Sequence, residues 1–294
     1  MKNKKNELLE QVKIGVIGGS GVYNIEEIKD IKEIDINTPF GKPSDKIIIG
    51  TLENIKIAFL PRHGKGHRIL PSEINQRANI YALKLIGVQQ IIGISACGSL
   101  KEELKPGDFI LPEQIFDRTK TRISTFFGNG IVGHIGFANP FCNELRNIVY
   151  DCCNVLNIKT HFGGIYVCIE GPQFSTRGES EVNRKLGFDV VGMTALPEAK
   201  LAREAEICYA TVGLITDYDV WKQGEEVSVE KVSKILHKNV ENVKKLIKTV
   251  VLKIAQRKRE CECKDALKYA IFTDKNYINK TTLNKLKLIT GKYL

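Results

Sequence analysis

No run in this 294-residue chain approaches the ~20 consecutive apolar residues that a membrane-spanning helix requires. The opening segment, MKNKKNELLEQVK, lacks the apolar stretch of a secretory signal, which makes the cytoplasm the default location. No internal repeat and no low-complexity linker occurs before residue 255, which excludes solenoids and beaded architectures. There is no G-x-x-x-x-G-K-[ST] phosphate loop. Gly18-Gly19-Ser20-Gly21 falls short of a dinucleotide fingerprint, because Asn24 stands where the third glycine belongs. A nicotinamide oxidoreductase is disfavoured on that ground. Cys261-Glu262-Cys263 has no second Cys or His pair beside it in sequence, which makes it a poor zinc site. A strained redox pair or halves of longer bridges stay open for it. The other six cysteines stand in apolar runs and read as small buried hydrophobes.

What is present suits one folded α/β unit. Hydrophobic residues make up 43% of the chain, enough for an ordinary core. The net charge of +10 is uneven: residues 255–294 hold ten Lys and Arg against four Asp and Glu. A basic tail of this kind reads as a solvated appendage, so nucleic-acid binding is not expected of the chain as a whole. We therefore expect residues 1–254 to form the folded domain, with residues 1–11 flexible. Residues 255–294 then form a basic, partly helical extension.

Short β-branched runs at Lys13–Ile17, Lys46–Thr51, Lys56–Leu60, Gln90–Ser95, Asp108–Leu111, Gly164–Ile169, Val190–Val191 and Tyr209–Thr216 predict strands. Most are apolar throughout, as strands covered on both faces are. Between them lie helical stripes, one after Pro140 and one from Val229 to Val250 with Ser228 as N-cap. The alternation predicts a single α/β domain with a twisted, mostly parallel or mixed central sheet flanked by helices. Ligands of such folds gather at strand ends, which directs attention to the loops there.

Six of these loops carry chemistry-bearing residues. Gly18–Gly21 is either a tight turn or an anion cradle. Pro61-Arg62-His63-Gly64-Lys65-Gly66 offers a planar guanidinium and an imidazole to an anion. Ser95-Ala96-Cys97-Gly98-Ser99 places small residues where a hydroxyl and backbone amides can face a ligand. Glu170-Gly171-Pro172-Gln173-Phe174-Ser175 carries an aromatic outside any core period, suited to stacking on a planar base. Gly192-Met193-Thr194 is followed by Pro197-Glu198 and a helix. Asp217 and Asp219 emerge from an apolar strand, where acids are costly unless paired or used.

Taken in order, KIGVIGGSG, TPFGKPSD, RHGKGHRILPSEINQRANIYALK, ACGSLKEELKPGD, IEGPQFSTRGES, VGMTALPEAKLAREAEICYA and TDYDVWK resemble the trimeric purine nucleoside phosphorylases over roughly residues 12–252. The resemblance implies phosphorolysis of 5′-methylthioadenosine to adenine and 5-methylthioribose 1-phosphate, a step of methionine and purine salvage. Inorganic phosphate is then a co-substrate, and no metal or organic cofactor is needed. It implies a phosphate site of Ser20, Arg62, His63, Ser95, Ala96 and Thr194, with Met193 against the ribose. Phe174 and Ser175 border the purine, and Asp217 and Asp219 face its N7 and amino edge. Asp217 is the proton donor. Glutamate at the place of Ser175 and asparagine at the place of Asp217 mark the 6-oxopurine branch, the alternative reading together with a methylthioinosine phosphorylase. Val229 and Val232 supply an apolar 5′ pocket. His134 reaches a neighbouring subunit's site, implying a homotrimer or a dimer of trimers. Gly192 departs from the family's asparagine and is expected to loosen contacts around the base. The C-x-C pair followed by DALKYAI is similar to archaeal and bacterial members.

Overall fold

The structure, a computed structural model, describes residues 12–19, 27–225 and 227–294. Ser20, the first eleven residues and their expected flexibility lie outside that set. Eleven strands among the described residues form one mixed sheet. They are β1 (Ile14–Gly18), β2 (Lys29–Ile34), β3 (Ile47–Leu52), β4 (Ile55–Pro61), β5 (Gln90–Ser99), β6 (Phe109–Leu111), β7 (Gln114–Arg118), β8 (Thr160–Phe162), β9 (Ile165–Ile169), β10 (Val190–Gly192) and β11 (Cys208–Asp217). Every expected strand is among them. β2, β7 and β8 were not foreseen: β2 is a charged, exposed edge, KDIKEI, without an apolar face to read.

The main path runs β2-β3-β4-β1-β5-β10-β9-β7, and β11 pairs with β5 and β6. β5 is the organising strand. Its first half pairs in parallel with β1, from Ile14↔Gln90 to Ile17↔Gly93. Its other edge pairs in parallel with β11 along nearly the whole length. β10 joins it only at Gly98 and Ser99, in antiparallel. Among the described residues, Ile94–Cys97 thus has no strand partner on the edge that β1 has left and β10 has not reached. A gap of this kind at carboxyl strand ends is where open α/β sheets bind ligands.

Among the described residues six α-helices cover the sheet: α1 (Gln76–Leu85), α2 (Asn143–Val155), α3 (Arg177–Lys185), α4 (Ala195–Glu204), α5 (Val229–Ala255) and α6 (Lys280–Thr290). α2 and α5 bury Leu145, Ile148, Val149, Leu246 and Val250 against one face. Ala82, Ala199 and Ala202 let α1 and α4 lie close on the other. Ser228 caps α5, accepting from the Lys231 amide at 3.2 Å. α2 begins at Asn143 with Cys142 as its N-cap, so Pro140 lies ahead of the first turn.

The basic extension is not a solvated appendage. Leu267, Ala270, Ile278, Leu286 and Ile289 are buried in the cluster that includes α1 and α4. Ile271 forms a β-bridge with Gly133, and Thr282 donates to the Asn129 carbonyl at 2.8 Å. Lys268, Lys280 and Lys287 are exposed while those five apolar residues face inward.

Candidate active site

Five strand-end segments converge on one cavity of about 570 Å³ at the gap beside β5, with Gly19 at its edge. Its walls include Arg62, His63, Ser95, Ala96, Phe174, Ser175, Met193, Thr194, Asp217, Asp219, Val229 and Val232. All the expected site residues within the described set meet there except His134.

Arg62 follows the last residue of β4 and is only 2% exposed. Its Nε donates to Glu198 Oε1 at 2.5 Å, and Nη2 donates to Glu198 Oε2 at 3.1 Å and to the Ile17 carbonyl at 3.4 Å. Nη1 donates to the Ile94 carbonyl at 2.8 Å. A guanidinium has five N–H bonds, so one Nη1–H remains for a ligand. Burial opposes the charge, but Glu198 outweighs it and holds the Arg62 pKa above its ordinary value. Glu198 is wholly buried and also accepts from the Tyr209 hydroxyl at 2.8 Å. α4 bends at Leu196, which has non-helical φ and ψ, so Glu198 lies in the first turn of the regular helix that follows. Sequence reasoning reached Glu198 only as a neighbour of Pro197; nothing in the chain indicates that it pairs with a residue 136 positions away.

His63 Nδ1 donates to the Ile69 carbonyl at 2.9 Å. Burial, with the Arg62 charge beside it, pushes its pKa down to about 4. The ring is therefore neutral at pH 7, and Nε2 carries a lone pair. Ser95 Oγ lies 2.9 Å from Thr194 Oγ1 and 3.2 Å from the Tyr166 hydroxyl. Thr194 does not spend its hydroxyl on capping α4. Because the Ile94 carbonyl turns to the gap, strand alternation turns the Ala96 amide to the same side.

At the other end Asp217 closes β11. Its Oδ2 accepts from the Thr216 hydroxyl at 2.7 Å and its Oδ1 from the Asp219 amide at 2.8 Å. Burial nevertheless raises its pKa above the ordinary carboxyl value, those two bonds pulling the other way. Asp219 is raised too, mainly by burial. Gly98 makes room for this pair: a Cβ there would stand 2.8 Å from Asp217 Oδ1. The Ser175 and Ser180 hydroxyls face the Asp219 carboxyl and pull its pKa the other way.

A Cβ at Gly192 would collide with the Tyr166 hydroxyl, so the tyrosine fills the room the missing side chain leaves. Val229 is 73% exposed, which places it on the rim, while Val232 is half-buried. Arg122, unforeseen because its loop has no period, donates to the carbonyls of Leu196 and Glu170 at 2.7 and 2.6 Å. It thereby ties the Phe174 loop to the Met193 loop. His134 lies away from the cavity, its amide bonded to the Ala270 carbonyl at 2.8 Å and its ring edge-on to Phe272.

A strand-end cleft with a guanidinium and hydroxyls at one end and two buried carboxyls at the other suits an α/β enzyme of the group-transfer class. The profile of the Phosphorylase superfamily matches residues 13–252, and the chain belongs to that superfamily. It is 50% identical over 284 residues to the S-methyl-5′-thioadenosine phosphorylase of Koribacter versatilis, covering 96% of this chain and 97% of that one. A solved methylthioadenosine phosphorylase from an antarctic soil metagenomic library superposes with a TM-score of 0.92 at 44% identity, covering 95% of this chain and 99% of the other. A variant adenosine/methylthioadenosine phosphorylase of Schistosoma mansoni in complex with methylthioadenosine gives 0.80 at 35% identity, covering 96% and 98%.

Proposed function

We propose that this protein phosphorolyses 5′-methylthioadenosine to adenine and 5-methylthioribose 1-phosphate. One observation carries the reading: a single cavity joins the Arg62–His63–Ser95–Thr194 cluster to the Asp217–Asp219 pair. The names and bound ligands of the similar proteins agree with it.

Phosphate is held by the free Nη1–H of Arg62, the hydroxyls of Ser95 and Thr194 and the Ala96 amide, with Ser20 added from the resemblance. His63 Nε2, as a neutral acceptor, receives a hydrogen bond from the P–OH of the phosphate and so turns a bare oxygen toward C1′. As the N-glycosidic bond breaks, electrons move onto adenine and positive charge grows on the sugar. Protonated Asp217 donates to N7, and phosphate oxygen then bonds to C1′. No step requires a metal or an organic cofactor. The carboxyl oxygens of Asp217 and Asp219 that carry no proton suit a 6-amino group, which brings N–H donors. Phe174 offers a ring face to the base, Met193 lies against the ribose, and Val229 and Val232 cover a methylthio group.

The active form is a homotrimer, or a dimer of trimers, in which His134 serves a neighbouring site. Its segment flanks a second cavity of about 420 Å³ lined by Phe127, Ile131 and Phe137. Phe272, packed edge-on to His134, is 83% exposed in the isolated chain, as a residue awaiting a neighbour would be. The test is adenine release from 5′-methylthioadenosine with and without added phosphate. Release that depends on phosphate is expected; release that ignores it points to hydrolysis and overturns the proposal.

A further inference from the structure

Four cysteines from three distant segments meet at the end of the sheet opposite the candidate active site. Cys142 is the N-cap of α2, Cys208 opens β11, and Cys261 and Cys263 flank the start of a 3₁₀ turn, Glu262–Asp265. Their four Sγ atoms all lie within 4.8 Å of one another, and those of Cys208 and Cys261 are 3.1 Å apart. All four are free thiols; three are buried and Cys261 is half-buried. The C-x-C pair, with no partner pair beside it in sequence, acquires one in space.

We propose that Cys142, Cys208, Cys261 and Cys263 form a closed tetrathiolate site for one zinc ion. Four sulfurs at the usual Zn–S distance stand about 3.8 Å apart, so this cluster needs only a small adjustment to close on the ion. The donor set contains no oxygen, which excludes hard cations such as calcium and magnesium. Among thiophilic ions the Irving–Williams order places zinc above ferrous iron for the same ligands. The N-terminus of the 13-residue α2 lies at Cys142, and the Arg259 guanidinium faces Cys261. Glu144 Oε2 accepts from the amides of Glu260 and Cys261, at 3.2 and 2.9 Å, and fixes the C-x-C loop. On binding, each thiol releases its proton to solvent as its sulfur coordinates; no oxidant or reductant takes part.

The ion is structural. Cys208 and Asp217 are the two ends of one strand, about 30 Å apart at 3.3 Å per residue. Four protein ligands also leave no position for a substrate. It pins the extension to the domain just where the chain leaves α5, and the same extension braces the His134 segment through the Ile271–Gly133 bridge.

The test uses the full chain, purified anaerobically without chelator, and elemental analysis. About one zinc per chain is expected, released stoichiometrically by a mercurial thiol reagent. Cobalt reconstitution of the stripped protein gives the intense visible and near-ultraviolet bands of a tetrahedral thiolate site. The Cys261→Ser/Cys263→Ser variant binds less than about a tenth of the zinc and melts lower, and chelator lowers the melting temperature of the parent alone. The cobalt spectrum of the parent decides the matter if the variant does not fold. Absence of zinc after anaerobic reconstitution, with all four thiols free to titrate, overturns the proposal. So does recovery of the four as two disulfides from anaerobic preparation.

Discussion

Replacing Glu198 separates what holds the phosphate site together from what the site does. Glu198 has no exposed surface and accepts three hydrogen bonds, two from Arg62 and one from Tyr209. Glu198→Gln removes the negative charge and turns an amide donor toward a guanidinium that has only donors. An unpartnered buried charge costs about 3–5 kcal/mol, which in a chain of this size lowers Tm by roughly 5–8 °C. Arg62 would then rotate or draw in water, and its one free Nη1–H would lose its aim. We expect the KM for phosphate to rise roughly 10–100-fold, with a smaller change in the KM for the nucleoside, because one charge-assisted hydrogen bond contributes about 1.5–3 kcal/mol. The double variant Arg62→Met/Glu198→Leu sharpens the test. Replacing both partners of a buried ion pair with apolar residues is close to neutral for stability, so Tm should recover while phosphate affinity does not. Thermal melts and steady-state kinetics with varied phosphate read both quantities. A Glu198→Gln protein with parental Tm and parental phosphate KM would refute the reasoning.

Asp217→Ala should lower turnover on 5′-methylthioadenosine by about 10²–10⁴-fold. Because burial raises the Asp217 pKa, the donating form is present below that pKa and is lost as pH rises through it. The parent's alkaline limb in kcat should therefore be missing from the variant's profile. Glu204, pushed by burial to about 7 although Phe126 and Thr125 bond to it, binds a proton more tightly folded than unfolded. Its contribution to stability is complete below the ordinary carboxyl pKa, near 4.5, and is lost as pH rises through 7. Glu204→Gln should flatten that decline, by at most about 3 kcal/mol, in chemical denaturation at pH 5 and pH 8.

The legible parts of the fold are those where both faces are buried. β1, β5 and β11 read as unbroken apolar runs because helices cover them on either side. β2 and β7 were silent: they are edge strands with exposed or half-exposed residues. The site was legible where glycine, proline and polar residues interrupt such runs, as at Arg62–His63 and at Asp217. The resemblance supplied the roles that spacing could not. Illegible were the residues that act across long separations, such as Glu198 behind Arg62 and Arg122 between two loops. Cys142 and Cys208 looked like core residues because they are buried, and only the folded chain shows what else they face. The tail was misjudged because net charge says nothing about which side of a segment its lysines occupy.

The break in pairing along β5 also governs how this protein will respond to mutagenesis. Where neither β1 nor β10 hydrogen-bonds Ile94–Cys97, the proposed phosphate site draws part of its grip from the peptide bond, which side-chain substitution leaves in place. An alanine scan will therefore credit the hydroxyls and Arg62 and miss the main chain. At position 96 the residue is already alanine, and only a change that deletes the amide itself, Ala96→Pro or an ester replacement, can expose what the backbone contributes.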